Sequence, residues 1–364
     1  MIKLNSICTK GSSSIAQKDL EGKDGSYPIY GASGFIKNVD FYQQEKPYIA
    51  IVKDGAGVGR VMKLPAYSSV IGTMQYIIPN DEVDVSYLAY ALEHMNLGKY
   101  YTGATIPHIY FKDYCNELLP AHTQEEQIKI AASLDKVSQL IALRKEQLAR
   151  LNQLTKSRFI ELFGNPLDGT AKYSLHQVGE VAEAVDPQPS HRTPPIEEGG
   201  IPYVSIKDCN HKTGKIDFDG ARKVSRTVLA EHLSRYTLQD GDFVIGKIGT
   251  IGNPVFVPAR SDYTLSANVV LVQPNSELVS PWFLKYSFES EFVEQQFAEA
   301  KNSTSQAAFG IQKVRSIEIM NPDLDTQRRF ESFVKQTDKS KLAIQQSLDK
   351  LELLKKSLMQ EYFG

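Results

Sequence analysis

Two long stretches of this chain repeat one another, and nothing else in the sequence constrains its fold as much. Leu148, Leu151, Leu154, Ser157, Glu161, Phe163 and Gly164 return as Leu348, Leu351, Leu354, Ser357, Glu361, Phe363 and Gly364, an offset of 200. Further upstream the offset reads as 203, with Thr123-Gln124 matching Thr326-Gln327 and Asp135-Lys136 matching Asp338-Lys339. A period this long is too great for a solenoid, whose repeats run to tens of residues. It calls for two whole modules in tandem, each a globular part followed by a long helix.

The globular parts match more faintly, but in order. Ile49-Ala-Ile-Val-Lys53-Asp-Gly55-Ala-Gly57-Val-Gly59 parallels Phe243-Val-Ile-Gly-Lys247-Ile-Gly249-Thr-Ile-Gly252. Thr73-Met-Gln75, then an apolar strand and Pro79, parallels Ser266-Ala-Asn268, a strand and Pro274. Tyr87-Leu-Ala-Tyr90 parallels Phe283-Leu-Lys-Tyr286, and Thr102 to Ile109 parallels Ser303 to Ile311. Each module closes on a proline, Pro120 or Pro322, just before its helix.

Within the helices, Ile130, Leu134, Val137, Ile141, Leu148, Leu151 and Leu154 form an apolar stripe. Ile344, Leu348, Leu351, Leu354 and Leu358 form its copy. Spacings of three and four among Lys, Gln and Glu predict coiled-coil seams. Thr123 with Glu126 predicts a capping box, and Gly164-Asn165-Pro166 a helix stop. The change of offset predicts that one helix is overwound relative to the other. The first helix carries the chain from module one to module two. If a pseudo-two-fold relates the modules, the second helix runs back and the pair is antiparallel. A helix of about forty residues spans on the order of 60 Å.

Composition sets bounds. The chain has 364 residues, enough for two or three domains, and a formal net charge of −2. That is not the basic footprint of a protein that grips DNA unaided. Residues 165–324 hold 15 Lys and Arg against 20 Asp and Glu, so if nucleic acid is the target, partners or local patches must supply phosphate contacts. Cys8, Cys115 and Cys209 form no CxxC pair. No apolar run suggests a leader or a membrane span, so a cytoplasmic protein is expected.

No catalytic motif is complete. Gly55-x-Gly57-x-Gly59 is followed by Arg60-Val-Met-Lys-Leu, a strand pattern, so an inter-strand turn is expected in place of a phosphate loop. Asn165-Pro166, Asn253-Pro254 and Asn321-Pro322 lack the second proline and aromatic of an amino-methyltransferase motif. Pro322-Asp323 begins a nuclease-like carboxylate pattern that nothing downstream completes. The scattered histidines predict no metal site. No cofactor is expected, and nothing argues for an enzyme.

Duplicated globular modules alternating with matching helices resemble the specificity subunit of type I restriction–modification systems. The resemblance spans essentially the whole chain. It is strongest at Tyr27-Pro-Ile-Tyr-Gly31-Ala-Ser-Gly34, at Gly241 to Gly252, at Pro120-x-x-Thr-Gln-x-x-Gln127 and at both Phe-Gly helix endings. It implies an α+β fold with two target recognition domains, residues 1–122 and 165–324, in pseudo-two-fold arrangement. A long antiparallel two-helix coiled coil, residues 123–164 and 325–364, would separate them. It also implies double-stranded DNA, two methyltransferase subunits and restriction (motor) subunits as partners, with catalysis in those subunits. The helices would then act as a ruler. The second module is longer and more acidic than the first, which weakens any one-to-one transfer of base contacts.

Chemistry nominates the DNA-reading side chains. Asn and Gln pair with adenine, and Arg and Lys with guanine or phosphate. On the recurring loops these are Lys53, Arg60, Thr73, Gln75, Thr105, His108, Tyr110 and Lys112 in module one. In module two they are Lys247, Thr250, Ser266, Asn268, Asn302, Ser305, Gln306, Gln312 and Lys313. A solvated loop side chain is the alternative at each position. Two other readings stay open: a self-contained modification enzyme, and an adaptor whose modules bind proteins.

Overall fold

The computed structural model describes residues 1–364 apart from 104–106, 191, 212, 248–250 and 303–308, and apart from the side chains of 301 and 302. It divides into two compact units, Met1–Glu146 with Gln345–Gly364, and Gln147–Ile344. Both boundaries fall inside long helices, so each unit owns half of each helix.

In the first unit, Tyr48–Val52 is an inner strand of a four-stranded antiparallel sheet. Its neighbours are Val61–Leu64 on one side and Met74–Pro79 on the other, with Cys8–Ser12 beyond. The run Tyr-Ile-Ala-Ile-Val is buried throughout because successive side chains point to opposite faces and both faces are covered. Ile49 and Ile51 pack with Ile77, Tyr87 and Leu88. Tyr48, Ala50 and Val52 pack with Val70, Met74 and Tyr76. Tyr87 and Leu88 come from the helix Val85–His94, whose N-terminus is capped by the Asp84 carboxylate accepting from the Tyr87 N–H at 2.8 Å. Val70 belongs to a second sheet in the order Gly34–Val39, Tyr27–Gly31, Ser69–Val70.

The second unit repeats both sheets strand for strand. The large one runs Ala182–Val185, Val269–Pro274, Phe243–Gly246, Gly252–Phe256, and the small one Arg222–Val224, Ile201–Val204, Thr264–Leu265. The helix Pro281–Phe288 stands for Val85–His94. Much of the extra length lies in two places. Residues 205–221 carry the hairpin Cys209–Asn210 with Lys215–Ile216, and Arg226–Leu233 forms a helix. Neither has a counterpart among the described residues of the first unit.

The long helices are Gln124–Phe163 and Leu324–Phe363, each of 40 residues. In the first unit, Ile130, Ala131 and Leu134 share a core with Met359 and Phe363. Lys145 meets Glu352 at 2.8 Å, so the two segments run antiparallel. In the second unit Phe163 stands 4.8 Å from Phe283, and Phe159 5.4 Å from Phe330, ring centre to ring centre. Phe163 also lies 5.5 Å from Phe330, and the Arg158 guanidinium 6.0 Å from the Phe333 ring, so the numbering runs in opposite directions there too. Aromatic burial on this scale makes either phenylalanine costly to truncate, by about 3–5 kcal/mol.

The expected shift of offset to 203 does not occur. A buried glutamine near the start of each helix fixes the register. The Gln127 amide oxygen accepts from the Asp84 N–H at 3.0 Å, and its nitrogen donates to the His122 carbonyl at 3.0 Å. Gln327 does the same with Ser280, at 2.7 Å, and Pro322, at 2.8 Å. The copies therefore stay 200 apart from end to end, and no overwinding follows. Thr123 and Glu126 bond reciprocally as expected. In the copy Asp323 takes the place of Thr123 and caps the Thr326 N–H at 2.9 Å, which gives that carboxylate a structural role.

The apolar stripe is also corrected at one end. Leu154 and Leu354 are 49 % and 45 % exposed, and the inward positions are Thr155, which is buried, and Lys355, which is half-buried. Ile130, Leu134, Val137, Ile141, Leu148 and Leu151 do face inward. Beyond Leu151 the inward positions step by four, through Thr155 and Phe159 to Phe163, so the heptad spacing read from the leucines ends there.

Candidate nucleic-acid interface

In each unit three chain segments meet at one end of the large sheet, held by backbone bonds. In the first unit the Lys53 N–H donates to the Thr73 carbonyl at 3.0 Å, and the Ile109 N–H donates to the Lys53 carbonyl at 3.0 Å. In the second the Lys247 N–H donates to the Asn268 carbonyl at 2.9 Å, and the Phe309 N–H to the Lys247 carbonyl at 2.9 Å. The frame is the same, which corrects the sequence alignment by two residues: Thr73 matches Asn268, and Gln75 matches Val270. The strand pairings agree, since Met74 lies opposite Val52 and Val269 opposite Gly246.

The glycines of the first frame do form an inter-strand turn. Gly59 has φ +85°, and a Cβ there would lie 2.4 Å from the Gly98 nitrogen, so only glycine fits. Around this turn Arg60, Thr73, Tyr110 and Lys112 are exposed, while Lys53 and His108 are half-buried. Asp54, which the sequence did not single out, bonds the His108 imidazole and lies 3.9 Å from the Lys53 ammonium. The Tyr110 ring stands 4.1 Å from His108, with the Lys112 ammonium 5.1 Å above it. The result is a flat, half-exposed ring with one cation over it, suited to a phosphate or a base face.

Three nominated side chains are placed elsewhere. Gln75 is 1 % exposed, and its amide donates to the Tyr114 hydroxyl at 2.7 Å inside the core. Burial pushes the Tyr114 phenol up, which keeps it neutral as that acceptor. Lys247 is 5 % exposed and paired with Asp186 at 2.7 Å, so its ammonium is not offered to phosphate. Ser266 is buried, with its hydroxyl accepting from the Asn268 N–H at 3.2 Å as a turn residue. Asn268 and Gln312 are exposed, and Lys313 is half-buried with its ammonium 3.2 Å from the Ala300 carbonyl. Thr105, Thr250, Ser305 and Gln306 lie outside the described residues, as does the side chain of Asn302. No sequence signal marks Asp186, which lies far from Lys247 along the chain.

Among the described residues no group of three or more His, Cys, Asp or Glu could hold a metal ion. Nor, among the described residues, is any helix long and apolar enough to cross a membrane.

Two matched frames, each at the end of its own sheet, agree with a comparison of whole families. The sequence profile described as the type I restriction modification DNA specificity domain matches residues 1–153 and again residues 170–354. The chain belongs to that family. A putative type I restriction enzyme specificity subunit of Haemophilus influenzae is 20 % identical over 361 residues, covering 92 % of this chain and 88 % of the relative. The crystal structure of a type I restriction–modification S subunit from M. genitalium superposes with a TM-score of 0.67 at 16 % identity. It covers 100 % of this chain and 95 % of that one. A chain from a structural study of type I restriction–modification complex assembly and conformational transition gives 0.53 at 14 % identity, covering 99 % and 96 %. These two likenesses establish a shared fold. As a specificity subunit the chain recognises DNA sequence within a restriction–modification complex, and the catalytic activities of such systems reside in other subunits.

Proposed function

We propose that this specificity subunit reads a bipartite double-stranded DNA target, one half per module, and scaffolds two methyltransferase subunits together with the restriction subunits. The observation that carries the reading is the duplicated frame, Lys53–Thr73–Ile109 in one unit and Lys247–Asn268–Phe309 in the other, each with its own loops. Two separate edges suit two separate half-sites. In the first module the readers would be Arg60, Thr73, His108, Tyr110 and Lys112, with Lys53 beside them. In the second they would be Asn268, Gln312 and Lys313, joined by Thr250, Asn302, Ser305 and Gln306. The acidic balance of residues 165–324 leaves much of the phosphate neutralisation to the partner subunits. The helices, which run through both units, would set the gap between half-sites.

The test is an exchange of residues 1–122 for the recognition domain of another such subunit. Mapping methylated bases in cells carrying the hybrid should show one half of the motif replaced and the other kept. Replacement of both halves, or of neither in a folded and active complex, would defeat the two-reader scheme.

A further inference from the structure

In the first unit the strands Tyr27–Gly31 and Gly34–Val39 form a hairpin turned by Ala32 and Ser33 alone, with Gly34 at φ +116°. The hairpin rises from the same edge as the frame. The Ile71 N–H donates to the Tyr30 carbonyl at 3.0 Å, two residues before Thr73. The turn is tied to the glycine loop, because the Arg60 guanidinium donates to the Ala32 carbonyl at 2.8 Å. Just past the turn stands Phe35, 60 % exposed, its ring edge-on to Tyr30 with centres 6.1 Å apart. An aromatic ring held this far into solvent beside an exposed arginine is not there for the core.

We propose that the hairpin tip Gly31–Phe35 is a further base-reading element of the first module, with the Phe35 ring as its apolar contact to a thymine 5-methyl group. A two-stranded ribbon fits the major groove, and a phenylalanine is among the side chains that meet the thymine methyl there. Arg60, bonded to the turn through part of its guanidinium, stands exposed beside the tip, where a phosphate or guanine would lie. Backbone anchors at both Tyr30 and Ala32 preorganise the tip, so little ordering is needed on binding.

The second unit treats the same position differently. Its strand Ile201–Val204 leaves the equivalent edge, where the Ser266 N–H donates to the Val204 carbonyl at 2.8 Å. The return strand begins only at Arg222, after residues 205–221 with their own small hairpin. A compact apolar tip is therefore a property of module one, and its effect belongs to one half-site.

This inference rests on the proposed reading of DNA by each module, so the experiment separates the two. The full-length chain is purified with its methyltransferase subunits, and its preferred site is selected from random duplexes. Each thymine of the first half-site is then replaced singly by uracil, which lacks the methyl. Wild type should lose about fourfold in affinity at one position, the equivalent of one buried methyl. Phe35→Ala should bind the thymine and uracil sites equally, and Phe35→Leu should keep part of the difference. The side chain is exposed, so these variants retain the fold, which thermal melting checks. If Phe35→Ala keeps every uracil penalty of wild type, or if wild type shows none in that half-site, the hairpin is not a reader. If the wild-type complex selects no preferred site at all, the DNA reading itself falls.

Discussion

Lys53 and Lys247 occupy the same backbone position in their two units and do different work. Each gives its N–H to the turn before one strand and its carbonyl to the segment before a short helix. Yet the Lys53 side chain is half-exposed beside Asp54 and His108, whereas that of Lys247 is sealed against Asp186. The hairpin tip and the 205–221 insertion differ in the same way. Duplication has preserved the backbone frame, which the sheet cannot do without, and has left the side chains on it free to diverge.

The sharpest test of that contrast is removal of the two lysines. Lys247→Ala strips Asp186 of a buried counter-charge and should destabilise the second unit by about 3–5 kcal/mol in urea unfolding. Lys53→Ala should change stability by less than about 1 kcal/mol and instead lower the salt slope of DNA binding by roughly one. Equal stability losses would break the comparison. Recovery of most of the loss in Lys247→Met with Asp186→Leu would sharpen it, because the penalty would then lie in breaking the buried pair.

A smaller effect is expected at Gln75, whose equivalent is Val270. Gln75→Val takes away the buried partner of the Tyr114 hydroxyl and should cost about 1–3 kcal/mol while leaving the methylated motif unchanged. A base preference altered at a single position would return Gln75 to the readers.

The smallest expected effect is a pH dependence confined to the second unit. His232, in the helix Arg226–Leu233, is buried with its Nδ1 against Thr264 Oγ1 at 2.6 Å and its Nε2 unpartnered. Burial holds its pKa below the ordinary histidine value, with Arg235 adding to the depression. The neutral form is thus favoured by folding. Stability is complete above the unfolded value of about 6.5 and declines as pH falls from there toward the lower folded pKa. Thermal melting should show the second unit weakening below about pH 6.5, and His232→Gln should flatten that slope. A slope unchanged in the variant would assign the loss to other groups.

Much of this architecture was legible in the chain. The recurrence of Leu148 to Gly164 as Leu348 to Gly364 announced two modules with two helices, because a helical stripe and its stop signal depend on local spacing. The glycines after Ile49–Lys53 announced a turn between strands for the same reason. The capping pair Thr123 and Glu126 lies within one helical turn, so it too could be read directly.

What the sequence by itself determined, then, was whatever depends on neighbours along the chain: the duplication, the long helices, the sheet-forming runs and the sharp turns. Tertiary structure alone decided which side chains look outward. Matching Gln75 to Asn268 in place of Val270 was a two-residue error, which preserves the face of a strand and so leaves no warning in the apolar pattern. Taking Thr326-Gln327 for Thr123-Gln124 was a three-residue error, and the bonds that Gln327 accepts from the Ser280 N–H and donates to the Pro322 carbonyl show the true register. Lys247 reads as a loop cation until Asp186 arrives from a distant strand end and buries it. Burial is a property of what folds on top of a residue, and the covering groups here come from strands and helices far away in the chain.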